Sequence, residues 1–464
     1  MSRHPLAAQA AEGPLPHRPL DILIVTSEAP PIVSGISTCV DRLATGLTAR
    51  DHQVRVLSCA QIRRVVFGEW RLSSFAAHWP RIVRELPHFD VVNVHGPVPT
   101  VSDVFLWLSR WLPPHARPAV VYTHHAPIDI PEASWMSTRY NRLHQGLALR
   151  ADRIVASSPH YARQHRSRFG PAVRAIPWGA DPRPSPPVRV PRSHGELNVL
   201  FVGQMRPYKG VETLLAAAGG QPWLKLTLVG GGTELARYRG LAERHSIANA
   251  RFTGRLSDAD LHYQYGISDA VVLPSVTHAE AFGLVLLEGM AAGCVPVASD
   301  LPGVRDIAGP TGLVVPSGNP RALRAALRGL AEDRATLERM QAASMLAAQA
   351  LTWDRCVTAY EGVLFEAVYS RYARLHGLRA LPELDEPRPL ISVPDAGLIS
   401  VPDADLISVP DADLRNGSSD ADLRDGSSDA DLRNGSVPGW PPVPATRTRI
   451  RIPEASASAA EPGR

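Results

Sequence analysis

From Asp21 onward, short continuous apolar runs alternate with longer stretches whose apolar residues recur every three to four positions. DILIVTS is followed by a helical pattern over 36–50 and then by VRVLS. VVNVHG (91–96), AVVYTHH (119–125) and RIVASS (153–158) continue the series, with helix-like segments between them. Apolar strands separated by amphipathic helices predict a parallel sheet covered on both faces. The pattern breaks at PWGADPRPSPPVRVP (177–191), where six prolines in fifteen residues oppose both helix and sheet. That stretch predicts an interdomain linker.

The alternation then restarts. NVLFVG (198–203), LKLTLVG (224–230), RFTG (251–254), AVVLPS (270–275), VPVAS (295–299) and GLVVP (312–316) are the predicted strands. Helical patterns cover 211–218, 234–245, 257–265 and 284–292, and helices without strands run from about 320 to 372. Two such halves face each other across a cleft, where ligands bind beyond the carboxyl ends of the strands. The expected organisation is a short disordered N-terminus (1–19), a first α/β domain (20–185) and a second (196–375). From about Leu381 the chain becomes tandem LISVPDAD-like and LRNGSSDAD-like repeats. These are polar and hold too few large apolar residues to offset ordering entropy, so 381–464 reads as a disordered tail.

Composition sharpens this picture in three places. Only four cysteines occur (Cys39, Cys59, Cys294, Cys356) and none form a CxxC pair, which excludes a disulfide framework or thiolate zinc site and fits a reducing compartment. The first twenty residues carry no signal-peptide core, and no apolar run reaches eighteen residues. The expectation is a cytoplasmic protein, with contact at the inner face of a membrane left open. The net charge of +4 hides an asymmetry: 15 acidic and 8 basic residues from Leu381 onward give −7, leaving +11 for residues 1–380. No basic run is interleaved with aromatics, so nucleic acid is not an expected partner.

The chemistry concentrates in the second half. In EAFGLVLLEGMAAGCVPVASD, Glu280 and Glu288 are eight positions apart, with Gly283 where the helical pattern begins. Eight residues on a helix return to nearly the same face. With Glu280 in the loop leading into the helix, both carboxylates can face one ligand, and the amides at Gly283 and Leu284 are helix-start donors suited to phosphate. A capped core helix with two incidental surface acids is the plainer alternative. FVGQMRPYKG places Arg206 and Lys209 just beyond a strand, two cations able to neutralise a diphosphate. Lys209 is one of only two lysines, the other being Lys225. LTLVGGG adds Gly230 at a second strand end, where an ordinary tight turn would use the same residues.

These segments, in the order FVGQMRPYKGVETLLAA, LTLVGGG, RFTGRL, DAVVLPS, EAFGLVLLEGMAAGCVPVASDLPGVRD and GLVVPSGNPRALRAAL, resemble the retaining glycosyltransferases of family 4. The resemblance covers about 20–375. It implies an α/β fold of the GT-B type, two Rossmann-like domains facing a cleft, and hexosyl transfer from a nucleotide diphosphate sugar to a glycan or lipid-linked acceptor. It gives Glu280 a place by the donor sugar, Glu288 the ribose, and Arg206 and Lys209 the diphosphate. Gly230, Arg255, Leu256, Gly283 and Leu284 fall on donor-binding positions. In the first half, EAPPIVSGIS resembles the family's glycine loop, with Ser34–Gly35 replacing the usual glycine pair, so that Gly35 alone supplies permissive backbone. YTHHAP assigns the active-site histidine to His125 rather than His124. Two further departures are Trp178, where asparagine is usual, and Gln204, where many relatives carry arginine; the second places more of the phosphate binding on Arg206.

The resemblance implies no cofactor, and no DxD stands at a strand end in the body, so no metal is expected. A GT-B nucleotide-sugar epimerase and a non-catalytic sugar- or nucleotide-binding protein remain the alternatives. A dinucleotide oxidoreductase lacks its GxGxxG after any predicted strand. Acceptor contacts are expected from 65–79 and 127–139, where Trp70, Trp79 and Trp135 offer stacking or membrane-facing surfaces as well as ordinary packing.

Overall fold

A computed structural model describes residues 18–377 apart from 60–63, 68–69, 130–132, 171–172 and 182–194. The N-terminal seventeen residues and the repeats expected to form a disordered tail lie outside the described residues.

The first half is built on β1 (Asp21–Thr26), α1 (Gly35–Thr48), β2 (Gln53–Ser58), a short hairpin β3 (Arg64–Phe67) and β4 (Trp70–Ser73), α2 (Trp79–Glu85), β5 (Val91–Gly96), α3 (Ser102–Leu108), β6 (Ala119–His124), α4 (Ser134–Ala148), β7 (Arg153–Ala156), α5 (Pro159–Phe169) and β8 (Val173–Ala175). Six of these strands form a parallel sheet in the order β2-β1-β5-β6-β7-β8. The hairpin pairs separately and antiparallel. In β1, Ile22, Leu23, Ile24 and Val25 are all buried, as a strand covered on both faces requires. Each such side chain contributes about 1.5–3 kcal/mol of burial.

The second half repeats the plan. It comprises β9 (Leu197–Val202), α6 (Val211–Ala218), β10 (Leu224–Val229), α7 (Leu235–Arg244), β11 (Ala250–Gly254), α8 (Asp258–Ile267), β12 (Ala270–Leu273), α9 (Leu284–Ala291), β13 (Val295–Ser299), α10 (Val304–Ala308), β14 (Leu313–Val315), α11 (Pro320–Glu332), α12 (Arg334–Gln349) and α13 (Trp353–His376). Its sheet runs β11-β10-β9-β12-β13-β14, again all parallel. Two doubly covered parallel sheets are the expected α/β architecture.

The long helix α13 leaves the second half and packs on the first. Gly46 of α1 faces it so closely that a Cβ there would lie 2.5 Å from Val357. Glu361 accepts from Arg50 at 2.8 Å and meets the ring of His52 at 3.0 Å. Buried Glu366 accepts from Arg153 at 3.0 Å, with Arg174 at 3.4 Å. One of three apolar clusters therefore runs through both halves, from Ile24 and Leu43 past Val357 and Leu364 to Leu286 and Met290.

Three details differ from the sequence reading. The hairpin β3–β4 and a 3-10 turn, Phe75–His78, occupy most of 65–79, and α4 begins within 127–139. Strand β8, only three residues long, carries too little periodicity to stand out. The expected linker is also too long at its start: Trp178 and Ala180 are buried, and the Ala180 amide donates to Leu351 O at 2.9 Å. A Cβ on Gly179 would lie 2.2 Å from the Trp353 amide, so only glycine fits there. Residues 177–180 belong to the core, and Asp181 is exposed. The linker residues 182–194 lie outside the described residues.

Candidate active site

Glu280 and Lys209 sit on two separate loops of the second half. Lys209 ends a single 3-10 turn, Pro207–Lys209, that follows β9 and is held by the left-handed Gly210 (φ 68°). Glu280 lies in the loop after β12. Their side chains form a nearly buried ion pair, Nζ to Oε2. Burial works against the Lys209 ammonium, but Glu280 and Tyr208 offset it, and its pKa lies above the ordinary lysine value. The ammonium also lies 5.3 Å from the Tyr208 ring centroid. The pair is thus charged, partly dehydrated and poised at the ends of two adjacent strands.

Gly283 is the N-cap of α9, in a left-handed conformation (φ 82°) with Leu273, Leu286 and Val304 packed around its Cα. No side chain caps this helix start, which leaves its first amides for other acceptors. Glu288 lies on the second turn and accepts from the Tyr265 hydroxyl at 2.8 Å. Arg206 donates through Nε to Gln204 Oε1 at 2.9 Å. Gly230 has its amide committed to Gly254 O at 2.8 Å, and a Cβ there would strike Gly203 O at 1.9 Å. Its glycine serves close strand packing. Exposed Arg255 lies over Gly231, 3.6 Å from where a Cβ would be, while Leu256 packs partly into the core.

The first half meets this constellation across a narrow seam. A Cβ on Gly35 would stand 3.9 Å from Leu284 Cδ1, so the starts of α1 and α9 lie close together. Gln204 Nε2 donates to Val33 O at 3.0 Å, and the His278 amide donates to Asp129 Oδ2 at 3.1 Å. The expectation that Gly35 supplies permissive backbone is corrected: its φ is not in the left-handed region, and it is an ordinary first residue of α1. Ser34 caps that helix by accepting from the Ser37 amide at 3.1 Å.

The two adjacent histidines have different surroundings. His124 is turned into the first half, against His165 (ring centroids 4.3 Å) and within 3.3 Å of the Tyr122 hydroxyl. His125 lies at the carboxyl end of the sheet, with Nε2 3.0 Å from His95 Nδ1. Burial pushes its pKa down to about 4, so the ring is neutral at neutral pH. Trp178 stacks on it with centroids 5.7 Å apart and 18° between planes. The replacement of asparagine by tryptophan thus fills the space behind His125. Sequence reasoning missed His95 and Asn93, whose only signal was polar residues inside an otherwise apolar strand run. Of the flagged tryptophans, Trp135 is exposed, and Trp79 packs edge-on against Phe105 at 5.8 Å. The Trp70 side chain lies outside the described residues.

No helix among the described residues is long and apolar enough to cross a membrane. The sequence profile described as Glycosyl transferases group 1 matches 188–345, and that of Glycosyltransferase Family 4 matches 33–183. A D-rhamnosyltransferase of Pseudomonas aeruginosa is 35% identical over 266 residues, 54% of this chain and 66% of that protein, so the chain spans just under two thirds of that relative. A D-inositol 3-phosphate glycosyltransferase of Kineococcus radiotolerans is 30% identical over 328 residues, 62% of this chain and 73% of that protein. HepE of Anabaena, solved in complex with UDP and glucose, shares the fold at a TM-score of 0.56 and 18% identity, over 74% of this chain and 99% of that one. The chain belongs to the GT-B glycosyltransferases of group 1 and family 4.

Proposed function

We propose that this protein is a retaining glycosyltransferase that moves a hexosyl group from a nucleotide diphosphate sugar to an acceptor hydroxyl. The buried Lys209–Glu280 pair, set beside the uncapped start of α9, carries the reading. The bond from the anomeric carbon to the phosphate oxygen breaks with its electrons on the diphosphate. Lys209, Arg206 and the amides at Gly283 and Leu284 stabilise that charge, the effect that usually contributes most to such catalysis. The acceptor oxygen bonds to the same face of the anomeric carbon and its proton passes to the departing phosphate, so no protein nucleophile is required. Glu280 and His125 orient the sugar; Glu288 takes the ribose. The complex of HepE with UDP and glucose supports a donor of this class.

The acceptor side lies on the first half. Trp135, Met136 and Leu143 are exposed on α4, a helix with arginines and no acidic residue. That face supports a lipid-linked or glycan acceptor presented near a membrane surface.

The test is a panel of UDP- and GDP-hexoses, first for thermal stabilisation and then with candidate acceptors for release of nucleoside diphosphate. A product with the donor's anomeric configuration is expected. Conversion of the donor's sugar without acceptor would instead indicate an epimerase, and binding without turnover a non-catalytic protein.

A further inference from the structure

We propose that Asn93 and His95 are positioning residues that hold His125 in its Nδ1–H form, fixing it as a hydrogen-bond donor toward the substrate. The inference rests on the reading of His125 as an active-site residue. Its evidence is a buried polar chain that begins on α13.

The Tyr360 hydroxyl lies 3.5 Å from Thr123 Oγ1, and Thr123 donates to Asn93 Oδ1 at 2.8 Å. Asn93 Nδ2 is 3.2 Å from His95 Nε2, and His95 Nδ1 is 3.0 Å from His125 Nε2. All five residues are buried, none more than 8% exposed. Trp178 lies nearly flat over three of them, stacking on His125, on His95 (6.3 Å, 24°) and on Tyr360 (5.4 Å, 15°).

The direction of donation follows from proton counting. A hydroxyl has one proton, so Thr123, donating to Asn93, accepts from Tyr360. An amide nitrogen only donates, so His95 Nε2 must carry the lone pair and His95 Nδ1 the proton. His95 then donates to His125 Nε2, which leaves the His125 proton on Nδ1. Turning the Asn93 amide over would reverse the three bonds between Thr123 and His125. Asn93 would then donate to Thr123, and the Thr123 and Tyr360 protons would have only each other's oxygens to share, so one buried hydroxyl proton would lose the acceptor this chain gives it, a loss that buried donors rarely tolerate. The forward order gives both hydroxyl protons an acceptor.

This arrangement has a functional consequence. A neutral imidazole can donate or accept at its outward nitrogen, and a sugar offers both kinds of partner. Fixing the proton on Nδ1 makes His125 select an oxygen lone pair. Because Tyr360 sits on the helix that returns from the second half, the orientation of His125 also depends on how that helix seats.

The test uses the full-length chain labelled with ¹⁵N-histidine. Long-range ¹H–¹⁵N spectra at neutral pH should show both His95 and His125 protonated on Nδ1. An Nε2–H form of His125 overturns the proposal. Asn93→Leu should shift His125 toward a mixture of tautomers while a native melting transition persists; an unchanged tautomer also overturns it. These spectra need no turnover, so a protein that transfers no sugar would sink the glycosyltransferase reading separately. In the transfer assay, His125→Asn places an amide nitrogen near the Nδ1 position and His125→Gln near Nε2. Asn should retain about tenfold more kcat than Gln at similar donor KM, and the opposite ranking counts against donation from Nδ1.

Discussion

The two halves bring opposite kinds of polarity to the seam between them. The second half presents charge: the Lys209–Glu280 pair, Arg206 and Glu288, arranged around a helix start. The first half presents a neutral chain, His125–His95–Asn93–Thr123, closed off by Trp178. Each side has solved burial in its own way. A buried charge needs an opposite charge beside it, whereas a buried neutral chain needs every donor matched to an acceptor. Under the proposed function this is a division of labour. Charge answers the diphosphate as it leaves, and fixed neutral dipoles orient hydroxyls without strong local fields.

The largest expected effect tests that division. Lys209→Ala should lower turnover about a thousandfold, or about 4 kcal/mol, by removing charge where the transition state develops it. Glu280→Gln should cost about a hundredfold, near 3 kcal/mol. His125→Ala should cost less than either. Steady-state rates for the three variants, each checked for a native melting transition, decide the matter. A His125 variant slower than the Lys209 variant would put the chemistry in the neutral half.

The same contrast explains what the sequence made legible. Glu280, Glu288, Arg206 and Lys209 stand in loops and helix starts flanked by glycine, where charge is rare enough to attract notice and local spacing is informative. The twelve strands of the two parallel sheets were equally readable except β8, because continuous apolar runs of four to six residues have few other uses. The histidine chain was not readable. Its members come from β5, β6 and α13, and only tertiary packing brings Tyr360 to Thr123 across 237 residues. Ser34 and Trp178 show the reverse difficulty: as departures from a pattern they suggested loss, yet one caps α1 and the other is a core aromatic.

A second test uses acid. Burial holds His95 and His124 well below the ordinary histidine range, His125 at about 4 and His144 at about 3. All four lie in the first half. With folded pKa values below the unfolded value of 6.5, the unfolded chain binds more protons as pH falls. The stabilisation is therefore present above pH 6.5 and is lost on descent toward pH 4. His125 alone should account for about 2 kcal/mol between pH 7.5 and 5, before most carboxylates titrate. Urea midpoints should drop over that interval, with amide exchange accelerating first in β5 and β6. A flat midpoint, or earlier opening of β9 and β12, would remove the contrast between the halves.

The smallest expected effect lies at the seam itself. Gln204 is neutral and touches both sides: Nε2 donates to Val33 O at 3.0 Å while Oε1 accepts from Arg206 at 2.9 Å. Gln204→Leu removes both hydrogen bonds, each worth about 1 kcal/mol. Arg206 then loses one neighbour that holds its guanidinium, so donor affinity should weaken about fivefold while kcat changes less than twofold. Gln204→Glu keeps an acceptor for Arg206 but sets a carboxylate against the Val33 carbonyl, so it separates the two contacts. If Arg206 orientation is what matters, the Glu variant should bind donor better than the Leu variant. If the seam contact matters, both should fail alike, and kcat should fall with affinity. That second result, measured by titration calorimetry alongside rates, would mean that closure between the halves limits the reaction more than the groups either half contributes.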